Sequence, residues 1–195
     1  MALTASTQLA LGSSAPDFTL PDTVSGHVVS LKDLKGAKGV LLFFICNHCP
    51  YVKLIQAELS AIGRDYMPKG IAMAAISAND AGIRPEDGPG PMKKEAERAG
   101  YPFPYLYDES QEVAKAYQAA CTPDIYLFDA KLKLVYHGQL DEARPNKKIP
   151  VTGADLRHAL DALLAGQAIS SEQKASVGCN IKWKKGNEPA YFKKP

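Results

Sequence analysis

Val40-Leu41-Leu42-Phe43-Phe44-Ile45-Cys46-Asn47-His48-Cys49-Pro50 is the stretch that decides the fold. Its first six residues are apolar without alternation, the pattern of a central strand covered on both faces. After the cysteines, Val52, Ile55, Leu59, Ile62 and Tyr66 recur at spacings of 3, 4, 3 and 4. That is one buried stripe of an amphipathic helix, ended by Pro68 and Gly70. Pro50 fits its first turn, where backbone N–H groups lack partners in any case. Ile71 to Ser77 reads as a second buried strand, so strand, helix and strand form a βαβ unit with a right-handed crossover.

Outward from this unit the signals are local. Phe18–Leu20 and Val28–Leu31 flank Ser25-Gly26, a hairpin pattern, and residues 1–15 read as a loose lead-in. From Asp80 to Pro91 six of twelve residues are Gly or Pro, a loop long enough to be functional. A short polar helix is predicted over Pro91–Ala99. A second, capped by Ser110, is predicted from Gln111 to Ala119. Ile125–Phe128 and Leu134–His137 read as strands. Asp155–Ala165 reads as a final helix with Leu156, Leu160, Leu163 and Leu164 inward, closed by Gly166. Beyond Gln167 no period is visible. The division expected is a lead-in over 1–11, one α/β domain over 12–166 and a basic C-terminal arm over 167–195.

With 195 residues, 46% apolar and 23% charged, the composition is that of one globular domain. A net charge of +2 argues against a nucleic-acid partner. The Lys182–Pro195 tail holds five lysines and one glutamate, a pattern that most simply solvates a terminus. No run approaches 18 apolar residues, so no membrane span is expected. Met1–Asp17 does not read as a signal peptide, and the expected location is cytoplasmic. In a reducing compartment the four cysteines, Cys46, Cys49, Cys121 and Cys179, point to redox chemistry or metal.

Cys46-Asn47-His48-Cys49 sits where a buried strand meets a helix N-terminus. Such a terminus carries about half a positive charge and unpaired N–H groups, which stabilise an anion. Cys46 is therefore expected to ionise more readily than a free thiol and to stand exposed. Cys49 lies a turn away and can close a small disulfide with it, so the pair can exchange two electrons. His48, between the sulfurs, is a candidate for tuning the Cys46 thiolate, with Asn47 beside it.

Strand, Cys-x-x-Cys-Pro opening a helix, and a distant Thr122-Pro123 before an apolar strand resemble the thioredoxin-like superfamily. Gly12-Ser13-Ser14-Ala15-Pro16-Asp17-Phe18-Thr19-Leu20 and Leu31-Lys32-Asp33-Leu34-Lys35-Gly36 resemble its redoxin branch, of AhpC/TSA type. That branch includes peroxiredoxins and membrane-tethered thiol-disulfide oxidoreductases. The resemblance implies a mixed central sheet flanked by helices, with an N-terminal hairpin, and a cis bond at Thr122-Pro123. It also implies a substrate groove formed by Pro50, Thr122 and Pro123. The reaction implied is exchange of a Cys46–Cys49 dithiol with disulfide-bearing proteins or small thiols, supplied by an upstream electron donor.

Two features depart from that family. Val40 stands where many thioredoxins have a buried aspartate, and Ile45 where they have a tryptophan. The acid serving Cys49 must then come from elsewhere, and Glu86, Asp87, Glu95 and Glu97 are the candidates in the insert. A peroxidase would place Thr at 46 and Pro at 42, but Cys46 and Leu42 stand there, so the hydroxyl that orients peroxide is missing. A third reading is delivery of copper or zinc, with Cys121 joining the pair as a thiolate ligand. Cys121 and Cys179 are otherwise auxiliary thiols or small buried hydrophobes. Trp183 is expected to pack the tail onto the body, and His137 to be a satisfied structural histidine. No phosphate-cradling Gly loop is present, so no organic cofactor is implied.

Overall fold

The computed structural model describes residues 3–7, 9–34 and 38–192. Lys35 and Gly36 of the redoxin motif, and Lys193 and Lys194 of the tail, lie outside the described residues. From the N-terminus, β1 (Leu3–Ala5) leads to β2 (Thr19–Pro21), β3 (Val28–Ser30) and β4 (Gly39–Phe44). Next come α1 (Pro50–Tyr66), β5 (Ile71–Ser77), α2 (Pro89–Ala99) and β6 (Tyr105–Tyr107). The chain continues through α3 (Glu112–Ala116), β7 (Cys121–Thr122), β8 (Asp124–Asp129), β9 (Leu134–His137), α4 (Ala154–Leu164) and β10 (Val177–Asn180).

β4 is buried at all six positions because it runs through the middle of a five-stranded sheet, ordered β6-β5-β4-β8-β9. It is parallel to β5 and antiparallel to β8. Side chains alternate across a strand. Leu41, Phe43 and Ile45 therefore join Val52, Ile55, Leu59 and Ile62 of α1 in one core. Val40, Leu42 and Phe44 face Phe18, Tyr117 and Tyr126 in the other. Burying one such Leu, Ile or Phe stabilises by about 1.5–3 kcal/mol. The hairpin β2–β3, with Gly26 at φ 76°, forms as the sequence indicates. The thioredoxin-like α/β fold expected from the sequence is the fold observed.

Two helices differ from expectation. α2 starts at Pro89 rather than Pro91, because prolines in a first turn forgo no hydrogen bond. α3 has five residues, and Ser110 does not cap it. Gln111 holds that place at φ 66°, its buried amide donating to the Ala78 and Lys182 carbonyls. The Asp108 carboxylate accepts the Ala114 N–H instead, at 2.8 Å.

The segments at both ends fold onto the body. β10 lies between β1 and β7 in a second, three-stranded sheet, with Cys179 opposite Thr122. A Cβ on Gly178 would meet the Thr122 carbonyl oxygen at 2.0 Å, so only glycine lets β10 approach this closely. Trp183 is buried in the second core and stands edge-on to Tyr191, as expected of a residue that packs the tail. Among the described residues no helix is long and apolar enough to cross a membrane.

Candidate active site

The loop between β4 and α1 delivers the chemistry. The Ile45 N–H still bonds to the Ile76 carbonyl at 3.0 Å, so the sheet fixes the loop's start. Cys49 is the N-cap of α1, with φ −70° and ψ 122°, and Pro50 is its first helical residue. Thr122-Pro123 is cis and faces this loop. The Cys49 sulfur lies 3.1 Å from the Thr122 carbonyl, and the Cys46 sulfur 3.4 Å from the Thr122 hydroxyl. Thr122 thus touches both sulfurs, one through its hydroxyl and the other through its carbonyl.

An acid from the insert completes the site. Asp87 Oδ2 lies 2.5 Å from His48 Nδ1, and that nitrogen is 3.6 Å from the Cys46 sulfur. Asp87 Oδ1 accepts the N–H groups of Asn47 at 2.8 Å and His48 at 3.3 Å, while Asn79 donates to Oδ2 at 2.8 Å. Burial alone would raise the Asp87 pKa. The donors from His48, Asn79 and Asn47 outweigh it and hold the carboxyl below its ordinary value. Asp87 is thus the buried acid of this site. Glu86 contributes only its carbonyl, to Asn47 Nδ2. Glu95 pairs with Arg98 and Gln56, and Glu97 is exposed. Asn47 also accepts from Tyr105 Oη at 3.1 Å, so it pins the loop rather than tuning a sulfur.

Two expectations about ionisation are corrected. The sulfurs are not exposed: Cys46 is 1% exposed, Cys49 0% and Cys179 2%. Nor is Cys46 the readily ionised thiol. Burial is the main cause that raises its pKa, followed by its bond to Cys49 and the nearby Asp87 charge. The adjacent Cys179 sulfur, and after it that of Cys46, shifts Cys49 down. α1 starts at Pro50, and Cys49 stands at its N-cap without a side-chain cap hydrogen bond; the Lys53 N–H bonds to the Cys49 carbonyl at 3.0 Å. Of the two, Cys49 is the thiol shifted toward ionisation. When protonated it has the Thr122 carbonyl as acceptor.

The auxiliary thiols divide. Cys179 lies 3.0 Å from the Cys49 sulfur, the place where Cys121 had been expected. Cys121 instead bonds to the Pro123 carbonyl at 3.5 Å. His137 is structural as expected: Nε2 bonds to Asp124 at 2.9 Å, Nδ1 accepts the Leu9 N–H, and the ring stacks on Tyr126. Of the residues expected to form the groove, Pro123 lines a pocket of about 20 Å³, room for about one water, which Tyr51 and, from the arm, Ser176 and Val177 also line. Among the described residues the donors near enough to share a metal ion are Cys46, His48 and Asp87, whose ligand atoms lie within 4.8 Å of one another.

Residues 11–137 match the AhpC/TSA family. The chain belongs to that family. It is 32% identical over 126 residues to the thiol-disulfide oxidoreductase ResA of Geobacillus kaustophilus, covering 65% of this chain and 67% of that one. The crystal structure of an uncharacterized conserved protein from the same species matches with a TM-score of 0.93 at 57% identity, covering 94% and 97% of the two chains. The thioredoxin domain of a thiol-disulfide oxidoreductase from Bacteroides vulgatus matches with a TM-score of 0.57 at 27% identity, over 70% and 90%. This AhpC/TSA protein is an oxidoreductase with the thioredoxin-like fold.

Proposed function

We propose that Cys46 and Cys49 form a reversible dithiol–disulfide couple that reduces disulfides of proteins or small thiols and is recharged by an upstream donor. The observation that carries this is the joint contact of both sulfurs with Thr122 beside the cis Pro123, with His48 and Asp87 against Cys46. Cys46, its proton passing to the adjacent His48–Asp87 pair, attacks the substrate disulfide as the thiolate, forming a mixed disulfide and releasing the first substrate thiolate. Cys49 then attacks the Cys46 sulfur and releases the second. The lowered pKa of Cys49 suits this resolving step, because the attacking form is the thiolate. Both sulfurs are buried, so substrate must enter as the arm over Pro123 shifts. The test is reduction of insulin disulfides: Cys46→Ser abolishes turnover, and retained turnover removes Cys46 as the nucleophile.

Thr122 favours a second reading. Its hydroxyl, 3.4 Å from the Cys46 sulfur, supplies a donor that the local motif lacks. With a hydroperoxide, the Cys46 thiolate would take the terminal oxygen to give a sulfenic acid and an alcohol. Cys49 would then expel water and form the disulfide. Hydrogen peroxide consumption measured beside insulin reduction separates the two: faster peroxide turnover that falls on Thr122→Val selects the peroxidase.

A further inference from the structure

The C-terminal arm places a third sulfur against the redox pair. Cys179 sits on β10, three residues before Lys182, and its sulfur is 3.0 Å from that of Cys49. Two non-bonded sulfurs rest farther apart than this, and a disulfide needs about 2.05 Å, so a movement of about 1 Å would join them. The approach is built in. Cys179 pairs in register with Thr122, and Gly178 is the residue that lets the two backbones meet. The arm beyond is fastened by two buried amides. Asn79 Oδ1 accepts the Lys182 N–H at 2.8 Å, and Gln111 Oε1 accepts the Lys184 N–H at 2.9 Å. Asn79 also bonds to Asp87, so one side chain links the arm to the acid of the active site.

We propose that Cys179 is a third redox sulfur that exchanges with Cys46 for Cys49. The inference rests on the Cys46–Cys49 reading and extends it. In the oxidised protein the Cys179 thiolate attacks the Cys49 sulfur of the Cys46–Cys49 disulfide. The Cys49–Cys179 bond forms, the Cys46–Cys49 bond breaks, and the electron pair leaves on Cys46. One proton leaves Cys179 and one is taken up by Cys46. The step is an isomerisation and needs no outside oxidant. It leaves Cys46 free to attack while the protein still carries a disulfide, and it ties β10 covalently across the groove at Pro123.

The experiment equilibrates the full chain in glutathione redox buffers, traps free thiols with N-ethylmaleimide and maps linked peptides by mass. Wild type is expected to give both Cys46–Cys49 and Cys49–Cys179 peptides. Cys46→Ser is expected to lose two of its three remaining thiols as Cys49–Cys179. Three thiols retained in that variant, or Cys46–Cys49 alone in wild type at every buffer ratio, overturns the relay. The wild-type map decides the matter if the variant does not fold. Failure of the underlying pair looks different, since Cys49–Cys179 would then form in wild type with no Cys46–Cys49 peptide.

Discussion

Replacing Asp87 with Asn tests whether the insert supplies the acid of the site. Asp87 is fully buried, and the His48 side chain is 8% exposed. Asn keeps one oxygen for the N–H groups of Asn47 and His48. It puts an amide where Oδ2 now meets His48 Nδ1 and Asn79 Nδ2. Two charge-assisted bonds are lost, each worth about 1.5–3 kcal/mol. Because one acceptor survives, the total should fall near the low end of a broken buried pair, about 2–4 kcal/mol at pH 7. For a chain of this size that lowers Tm by about 4–16 °C. The sign with pH follows from the lowered Asp87 pKa. A depressed carboxylate contributes stability that is full above its unfolded value, about 3.9, and lost as pH falls through the folded value. Urea unfolding at pH 7, 5 and 3 should therefore show a gap between wild type and variant that is constant at the two higher pH values and shrinks at pH 3. A gap under about 0.5 kcal/mol at pH 7, or one unchanged at pH 3, refutes the assignment of Asp87 as a buried anion.

Three further outcomes are expected. Gly178→Ala cannot keep the β7–β10 approach, and overpacking of this kind costs about 1–3 kcal/mol. If that cost falls on the closed arm, iodoacetamide should label Cys46 and Cys49 about 5- to 150-fold faster, and an unchanged rate would show that β10 does not gate the site. Cys49→Ser should accumulate mixed disulfides at Cys46 when mixed with oxidised insulin, and absence of any adduct by mass would remove Cys49 as the resolving thiol. Protein purified without oxygen should contain well under one equivalent of zinc or copper, because His48 and Asp87 are already bonded to each other; a stoichiometric metal would favour the ligand set Cys46, His48 and Asp87.

Much of the fold was legible because its signals are local. The apolar run of β4 buries on both faces, and the stripe of α1 packs against it. The insert near residues 80–104 was read as the source of an acid for Cys49; it supplies Asp87, which bonds to His48 beside Cys46 instead. What could not be read depends on contacts distant in sequence. Val177-Gly178-Cys179-Asn180 carries no alternation, and it is a strand only because β1 and β7 flank it. Its glycine, a strand weakener by local rules, is required by a carbonyl 56 residues earlier. Ser110 had the local signature of a cap, but Gln111 is held by the arm and displaces it. The charge on the pair was misplaced for a related reason. A cysteine spacing says that a helix N-terminus is near, but the shifts come from burial at Cys46 and from Cys179 beside Cys49, a contact distant in sequence.

The central claim is that Cys46 and Cys49 exchange two electrons as a couple. Titration of the intact protein in glutathione buffers, with thiols counted and linked peptides mapped at each ratio, tests it most directly. The account predicts that two of four thiols disappear in a single two-electron step, half complete between about −120 and −270 mV, and that a peptide joining Cys46 to Cys49 is recovered. Four free thiols across that range, or oxidation that never joins Cys46 to Cys49, contradicts it.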